Sequence, residues 1–204
     1  QQFGVRLVDI EWVQAGVNQP GRVEKVRLRL PAGVRLTPRP DSTLSEMLLS
    51  GEIDAALTAH PPECSEAGDA RIARLFEDYE TVERDYWRQT GIFPIMHAIA
   101  IRSEILAHYP WVAMNLVKAF EDAKAASLER LLEMTASRYP VPWMQNLVQR
   151  ARAEFGPDLW PYGIEANRRT LEAFLSYAHE QGVCHRALSV EELFPPSVQS
   201  SFKI

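Results

Sequence analysis

The stretch Thr90-Gly91-Ile92-Phe93-Pro94-Ile95-Met96-His97 joins the end of a helix to an apolar segment, and it governs which fold the sequence predicts. Gly91 can end the helix, since glycine readily adopts the left-handed conformation that closes many helix carboxyl ends. Beyond it, apolar side chains over 93–101 would occupy both faces of an extended segment. Because such a segment has no polar face to expose, the sequence predicts a buried strand over 93–101 in the middle of the fold.

One histidine interrupts this apolar segment. Burial of an imidazole is costly unless the ring has a hydrogen-bond partner. His97 is therefore either a hydrogen-bonded core histidine or a site residue, and the residues alone leave both interpretations open.

A clear helix-to-strand pattern lies earlier in the chain. Thr43 and Glu46 have the spacing of a capping box, and Gly51 follows where the helix would end. Residues 53–58 then predict a buried strand, and a helix that feeds a strand is typical of α/β proteins. His60 lies just past that strand, where open α/β sheets bind ligands. This histidine is either a site residue or an exposed loop histidine.

Short strands and longer helices account for most of the remaining chain. Strands or extended pieces are predicted over 7–13, 25–30 and 34–37, and helices over 110–131, 142–155 and 165–182, with a short final helix capped by Ser189 and Glu192. We therefore expect an α/β fold with a helical carboxyl-terminal half.

Composition excludes several classes of protein. The 204 residues carry a net charge of −5 and are 46% hydrophobic, which is enough apolar content to build a core. Acidic and basic residues are interspersed without a basic stripe, so nucleic-acid binding is not predicted. The longest apolar run, 92–101, is too short to span a bilayer. The sequence contains no glycine-rich phosphate loop, nucleophile elbow or His-Glu-x-x-His motif.

Several long sequence motifs, taken together in their order along the chain, indicate a protein family. They are Ser45-Glu46-Met47-Leu48-Leu49-Ser50-Gly51-Glu52-Ile53-Asp54-Ala55, Leu75-Phe76-Glu77-Asp78-Tyr79, Val82-Glu83-Arg84-Asp85-Tyr86, the stretch 90–97, His108-Tyr109-Pro110-Trp111-Val112-Ala113 and Trp160-Pro161-Tyr162-Gly163-Ile164-Glu165-Ala166-Asn167-Arg168. Together they bracket nearly the entire chain, and they resemble the 4,5-dihydroxyphthalate decarboxylase family.

This resemblance implies a fold similar to that of type II periplasmic solute-binding proteins, in which two α/β lobes close over a ligand. Resembling proteins are longer on the amino-terminal side, so we expect this chain to be a fragment of a two-lobed protein. On that comparison, residues 1–101 form the α/β portion of the second lobe, with 93–101 as the inter-lobe strand. Residues 102–204 form a helical return segment that packs on both lobes.

The resemblance also implies an activity. We expect a carbon–carbon lyase that decarboxylates 4,5-dihydroxyphthalate or a similar aromatic diacid, without a cofactor, to a dihydroxybenzoate such as protocatechuate. The family includes chains that resemble transporter binding proteins, so a solute-binding protein for a small aromatic or heterocyclic anion is the alternative. The enzyme would be cytoplasmic and the binding protein periplasmic. The expected partner is a small aromatic dicarboxylate, not a nucleic acid or a membrane. Formation of a homo-oligomer is left open.

The chemistry of decarboxylation suggests a role for the two histidines. A proton must reach the carbon that bears the carboxylate, and histidine can donate one near neutral pH. His97 is the first hypothesis for this donor and His60 the second. No metal site is predicted, although both histidines with a carboxylate could hold a divalent ion, an alternative that the sequence neither supports nor excludes.

Substrate binding is assigned to polar residues near the ends of predicted elements. They are Arg84, Thr90, Tyr162, Glu165, Asn167 and Arg168. A guanidinium fork binds a planar carboxylate through paired hydrogen bonds, but an arginine on a helix can equally form a surface ion pair. Glu165 and Asn167 could instead cap the helix that begins there. Three tryptophans could stack on an aromatic ligand or pack in a core or interface: Trp87, Trp143 and Trp160.

Overall fold

The computed structural model describes residues 3–136 and 138–200, which form a mixed α/β structure. The described residues contain seven α-helices and one two-stranded sheet. The strands are β1 (Glu11–Gly16) and β2 (Arg35–Thr43), and the helices are α1 (Leu44–Ser50), α2 (Glu63–Glu66), α3 (Tyr79–Thr90), α4 (Ser103–His108), α5 (Val112–Leu132), α6 (Met144–Phe155) and α7 (Ile164–Glu180). Short 3₁₀ turns occur at Leu7–Asp9, Glu191–Leu193 and Pro196–Val198. The α/β prediction is confirmed at this level.

The chain divides into two compact units. The first contains the described residues up to Gly91 together with Ser176–Ala187, and the second contains Ile92–Leu175 together with the described residues from Leu188 onward. The predicted division into portions 1–101 and 102–204 stays a prediction.

A parallel sheet and α1 form the centre of the first unit. Strand β1 pairs with β2 in parallel, with Glu11 opposite Arg35 and a register irregularity between Gln14 and Gly16. The core beside the sheet consists of Ala15, Leu44 and Met47, with Val13, Val17, Ile53 and Ala56 packed against it. Burial of these side chains is the main favourable contribution to the folding of this unit.

The local signals around α1 are confirmed. The Glu46 backbone N–H donates to Thr43 Oγ1 at 3.1 Å, so the threonine caps the helix as its spacing predicted. Gly51 ends the helix in the left-handed conformation, with φ of 76°. Gly91 ends α3 in the same way, with φ of 65°.

The predicted strands over 53–58, 25–30 and 93–101 are wrong, because none of these segments is paired in a sheet. An extended segment becomes a strand only when a neighbouring backbone satisfies its N–H and C=O groups. Residues 94–101 make no backbone hydrogen bond with another described residue. The prediction that 93–101 is buried is also wrong, since residues 93–100 are exposed.

Most of the second unit is helical. Helices α5, α6 and α7 lie within one to two residues of their predicted bounds, and the short final helix is a 3₁₀ turn at Glu191–Leu193. The Ser189 backbone N–H donates to Glu192 Oε2 at 2.8 Å, as its capping spacing predicted. The core is formed by Ile164, Leu171, Leu175 and Val190, with Leu188 and Phe194 packed against it.

Among the helices of the described residues, not one combines the length and the apolar character that a membrane span requires.

Candidate functional site

His97 lies in the irregular segment of the second unit and its side chain is exposed. Its ring makes no hydrogen bond with any other residue that the structure describes. The sequence left two interpretations of this histidine open. Its exposed position does not agree with a hydrogen-bonded histidine in the core. An exposed imidazole with both nitrogens unengaged is able to exchange a proton with a bound molecule.

His60 lies in a loop of the first unit, and its side chain is also exposed. Only its backbone is held: the His60 N–H donates to Thr58 Oγ1 at 3.3 Å, and that hydroxyl donates to the His60 carbonyl at 2.9 Å. This small turn fixes the backbone at the histidine, while its ring stays exposed to solvent. This is the geometry of a loop histidine, one of the two interpretations that the sequence left open.

Arg84 and Thr90 both belong to α3, and each is engaged within that helix. Arg84 Nη2 lies 2.5 Å from Glu80 Oε1, and this ion pair joins residues one helical turn apart. The Thr90 hydroxyl donates to the Tyr86 carbonyl at 2.6 Å. A substrate carboxylate would have to displace Glu80 before it could use both arms of this guanidinium.

Glu165 and Arg168 lie together on α7 and neutralise each other. Arg168 Nη2 contacts Glu165 Oε1 at 2.6 Å, and Arg168 Nη1 contacts Glu191 Oε1 at 2.8 Å. The hydrogen bonds to Glu165 first and Glu191 second raise the pKa of Arg168 above its ordinary value. Both arms of the fork are therefore occupied by carboxylates of the protein itself.

Asn167 closes the turn before α7. Its Nδ2 donates to the carbonyls of Pro161 and Gly163, at 2.8 and 2.9 Å. These bonds hold the turn that carries Tyr162. Among the predicted binding residues, the side chain of Asn167 therefore stabilises the local backbone around Tyr162.

Tyr162 borders a groove of about 360 Å³ in the second unit. Its walls are the half-exposed aromatic side chains of Phe120, Trp160 and Tyr162, which are 39%, 55% and 39% exposed. Lys124 also lines the groove, with Nζ 4.5 Å from the centre of the Tyr162 ring. Such a contact between an ammonium and an aromatic face is favourable and fixes the ring.

Lys124 lines this groove, and no sequence motif pointed to it. It lies four residues after Phe120 on a predicted helix, and this spacing places both side chains on one helical face. Its Nζ contacts Glu121 at 2.8 Å and Asp158 at 2.9 Å. Burial lowers the pKa of Lys124, but the bonds to the two carboxylates outweigh burial, and the pKa is raised above 10.5. The groove therefore holds a cation whose charge is already compensated.

Metal ligation was the alternative for the two histidines, which belong to different units. Within each unit, the described residues contain no group of three His, Cys, Asp or Glu side chains arranged to hold a metal ion.

Comparison with known proteins finds two similar proteins that carry the same name. The chain is 37% identical, over 205 aligned residues, to the 4,5-dihydroxyphthalate decarboxylase of Comamonas testosteroni, and the match covers 100% of this chain and 62% of that protein. It is 36% identical over 89 residues to the 4,5-dihydroxyphthalate decarboxylase of Pseudomonas putida, covering 43% of this chain and 34% of that protein. No family model matches the chain.

Both similar proteins carry the name 4,5-dihydroxyphthalate decarboxylase, so the resemblance that the sequence motifs indicated is confirmed. The chain spans less than two thirds of the length of either relative.

Proposed function

We propose that the protein decarboxylates 4,5-dihydroxyphthalate, or a closely similar aromatic diacid, to a dihydroxybenzoate such as protocatechuate. The single observation that carries the proposal is the 37% identity to the Comamonas testosteroni protein of that name, because it extends over 100% of this chain. The names of the relatives favour this enzyme over a solute-binding protein.

The reaction needs no cofactor in principle. In 4,5-dihydroxyphthalate a ring hydroxyl lies para to each carboxylate, so it can release electrons toward the carbon that bears that carboxylate. A proton added to this carbon, with loss of the phenolic proton to a base, gives a dienone. The carbon–carbon bond then breaks, carbon dioxide leaves, and the bonding electrons restore the aromatic ring while the carbonyl regains its proton. The protein must supply an acid, a base and a site for the remaining carboxylate.

His97 is the proposed proton donor, and His60 is the second candidate. The exposed ring of His97, without a hydrogen bond to a described residue, supports this role, since a donor must be able to approach its substrate. Tyr162, beside Lys124, is proposed to contact the ring of the substrate. Arg84, Thr90, Glu165, Asn167 and Arg168 stay proposals for binding, and each first has to release the internal contact described above.

We also propose a fold similar to type II periplasmic-binding proteins and a cytoplasmic location. The parallel pairing of β1 with β2 in a mixed α/β chain supports the fold. The free thiols of Cys64 and Cys184 support a reducing compartment.

The test is to incubate the full-length protein with 4,5-dihydroxyphthalate and to measure carbon dioxide release. We expect turnover, and we expect His97→Gln to reduce kcat by about 10²-fold or more, as removal of a general acid does. His108→Gln is the matched control, because His108 is also exposed but its Nδ1 lies 2.8 Å from the Glu104 carbonyl oxygen.

Three results would count against these proposals. Thermal stabilisation by the diacid without carbon dioxide release would favour a binding protein. Equal turnover of His97→Gln and the unchanged protein would remove this histidine from the mechanism. A loss confined to His60→Gln would transfer the donor role to that residue.

A further inference from the structure

A second groove of the second unit lies along the amino-terminal half of α6 and has a volume of about 610 Å³. Its lining includes Trp143, Asn146, Leu147, Gln149 and Arg150. Ligand sites for small molecules commonly have volumes of about 300–1,000 Å³ and combine apolar walls with a few polar groups. The lining of this groove has that composition, and it contains no acidic residue.

Trp143 stands out in both conformation and exposure. It is the only described residue other than glycine with a positive φ, at 56°, and its side chain is 76% exposed. A bulky residue in the left-handed region is unfavourable and persists where the surroundings impose it, often at ligand sites. The indole therefore presents a large exposed aromatic surface at the groove.

Arg150 lies on the same side of α6, two turns further along. It makes no ion pair or hydrogen bond with any other described residue. Lys124 in the Tyr162 groove differs, because Glu121 and Asp158 already compensate its charge. Of these two grooves, only the one at Trp143 presents a cation whose charge is not compensated by a described carboxylate.

We infer that the groove between Trp143 and Arg150 binds a small planar aromatic carboxylate. A guanidinium binds a carboxylate through two parallel hydrogen bonds, and it is more weakly hydrated than an ammonium. An indole stacks on an aromatic ring, and the Asn146 and Gln149 amides can donate to oxygens at the ring edge. The lone positive charge selects against cationic and neutral rings.

The experiment follows the indole N–H resonance of Trp143 by NMR while phthalate is added to the full-length protein. The choice of phthalate rests on the proposed function, which supplies an aromatic diacid as ligand. The resonance is assigned by its loss in Trp143→Phe. We expect a saturable shift whose Kd rises about tenfold or more in Arg150→Gln, since a hydrogen bond to a charged group is lost.

Arg152→Gln is the matched control. Arg152 lies on the same helix, its side chain makes no hydrogen bond or ion pair with a described residue, and it does not line the groove. Its substitution removes the same charge, so we expect less than about a twofold change in Kd, as for general electrostatic attraction. Phthalamide, which has the same ring without charge, is expected to produce no saturable shift.

The inference fails if phthalate leaves the Trp143 resonance unmoved, or if the two arginine substitutions weaken binding equally. It also fails if phthalamide binds as well as phthalate. These measurements need no turnover, so a protein that binds phthalate through Arg150 but releases no carbon dioxide would contradict only the proposed function. A protein that releases carbon dioxide with an unmoved Trp143 resonance would contradict only this inference.

Discussion

Arg168 Nη1 lies 2.8 Å from Glu191 Oε1, and this ion pair joins α7 to the 3₁₀ turn at Glu191–Leu193. The pKa of Glu191 is lowered, first by a hydrogen bond from its own backbone N–H and then by the Arg168 guanidinium. A depressed pKa in the folded state stabilises the protein above the ordinary pKa of 4.5, and this stabilisation is lost as the pH falls through the lower folded value.

We therefore expect Glu191→Gln to lower the thermal midpoint slightly near neutral pH. The difference from the unchanged protein should disappear in acid, below the folded pKa of Glu191. The effect is small because the pair is exposed and screened by solvent. Glu172→Gln is the control, since its carboxylate lies 3.8 Å from the same guanidinium and should matter less. If Glu191→Gln lowers the thermal midpoint by the same amount in acid, the ion pair is not the cause of the difference.

Gly182 and Gly51 have the same φ of 76° but different surroundings. A Cβ added at Gly182 would lie 1.8 Å from the Arg29 carbonyl oxygen, whereas nothing lies within 4 Å of one added at Gly51. Gly51→Ala should therefore cost only the backbone penalty, about 1 kcal/mol. Gly182→Ala should cost more, about 2 kcal/mol or beyond, because the backbone near Arg29 must also move.

Chemical denaturation of the two glycine variants checks this prediction. The Arg29 N–H donates to the Gly182 carbonyl at 2.8 Å, so a shift of either backbone segment weakens this bond too. Equal losses of unfolding free energy in the two variants would mean that the close approach does not exist in solution.

Asp69 is predicted to titrate well below an ordinary aspartate. The side-chain hydrogen bond from Arg71, with Nη2 2.6 Å from Oδ2, lowers the pKa of Asp69 from 3.8 to about 2. The carboxylate therefore stabilises the fold above pH 3.8, and its contribution is lost as the pH falls through about 2. Carboxyl ¹³C NMR should give this low value, and Arg71→Gln should return it toward 3.8. A pKa near 3.8 in the unchanged protein would refute the pairing.

Local features of this chain could be predicted from sequence because neighbouring residues determine them. Thr43, Glu46 and Gly51 form the two ends of α1 through contacts within a few residues, and those contacts are present. The periodic apolar faces of α5 and α7 likewise predicted their helices. Such signals need no knowledge of the rest of the fold.

The segment 93–101 could not be placed by the same reasoning. Its apolar pattern favours a strand, but pairing depends on a second backbone that no local pattern specifies. The partners of the candidate site residues could not be predicted for the same reason. The sequence shows that Arg168 and Lys124 are cations on helices, but their distant partners Glu191 and Asp158 are brought near only by the fold.

Trp143 gives a test of the backbone at the start of α6. With φ of 56° its left-handed conformation penalises any residue that has a Cβ, whereas glycine adopts it freely. Because the side chain is 76% exposed, removal of the indole loses little packing. Trp143→Gly should therefore be more stable than Trp143→Ala by about 1 kcal/mol. Denaturant unfolding of the two variants measures this difference directly, since both lack the ring and differ only at Cβ. If the alanine variant is the more stable of the two, position 143 has an ordinary helical or extended backbone in solution.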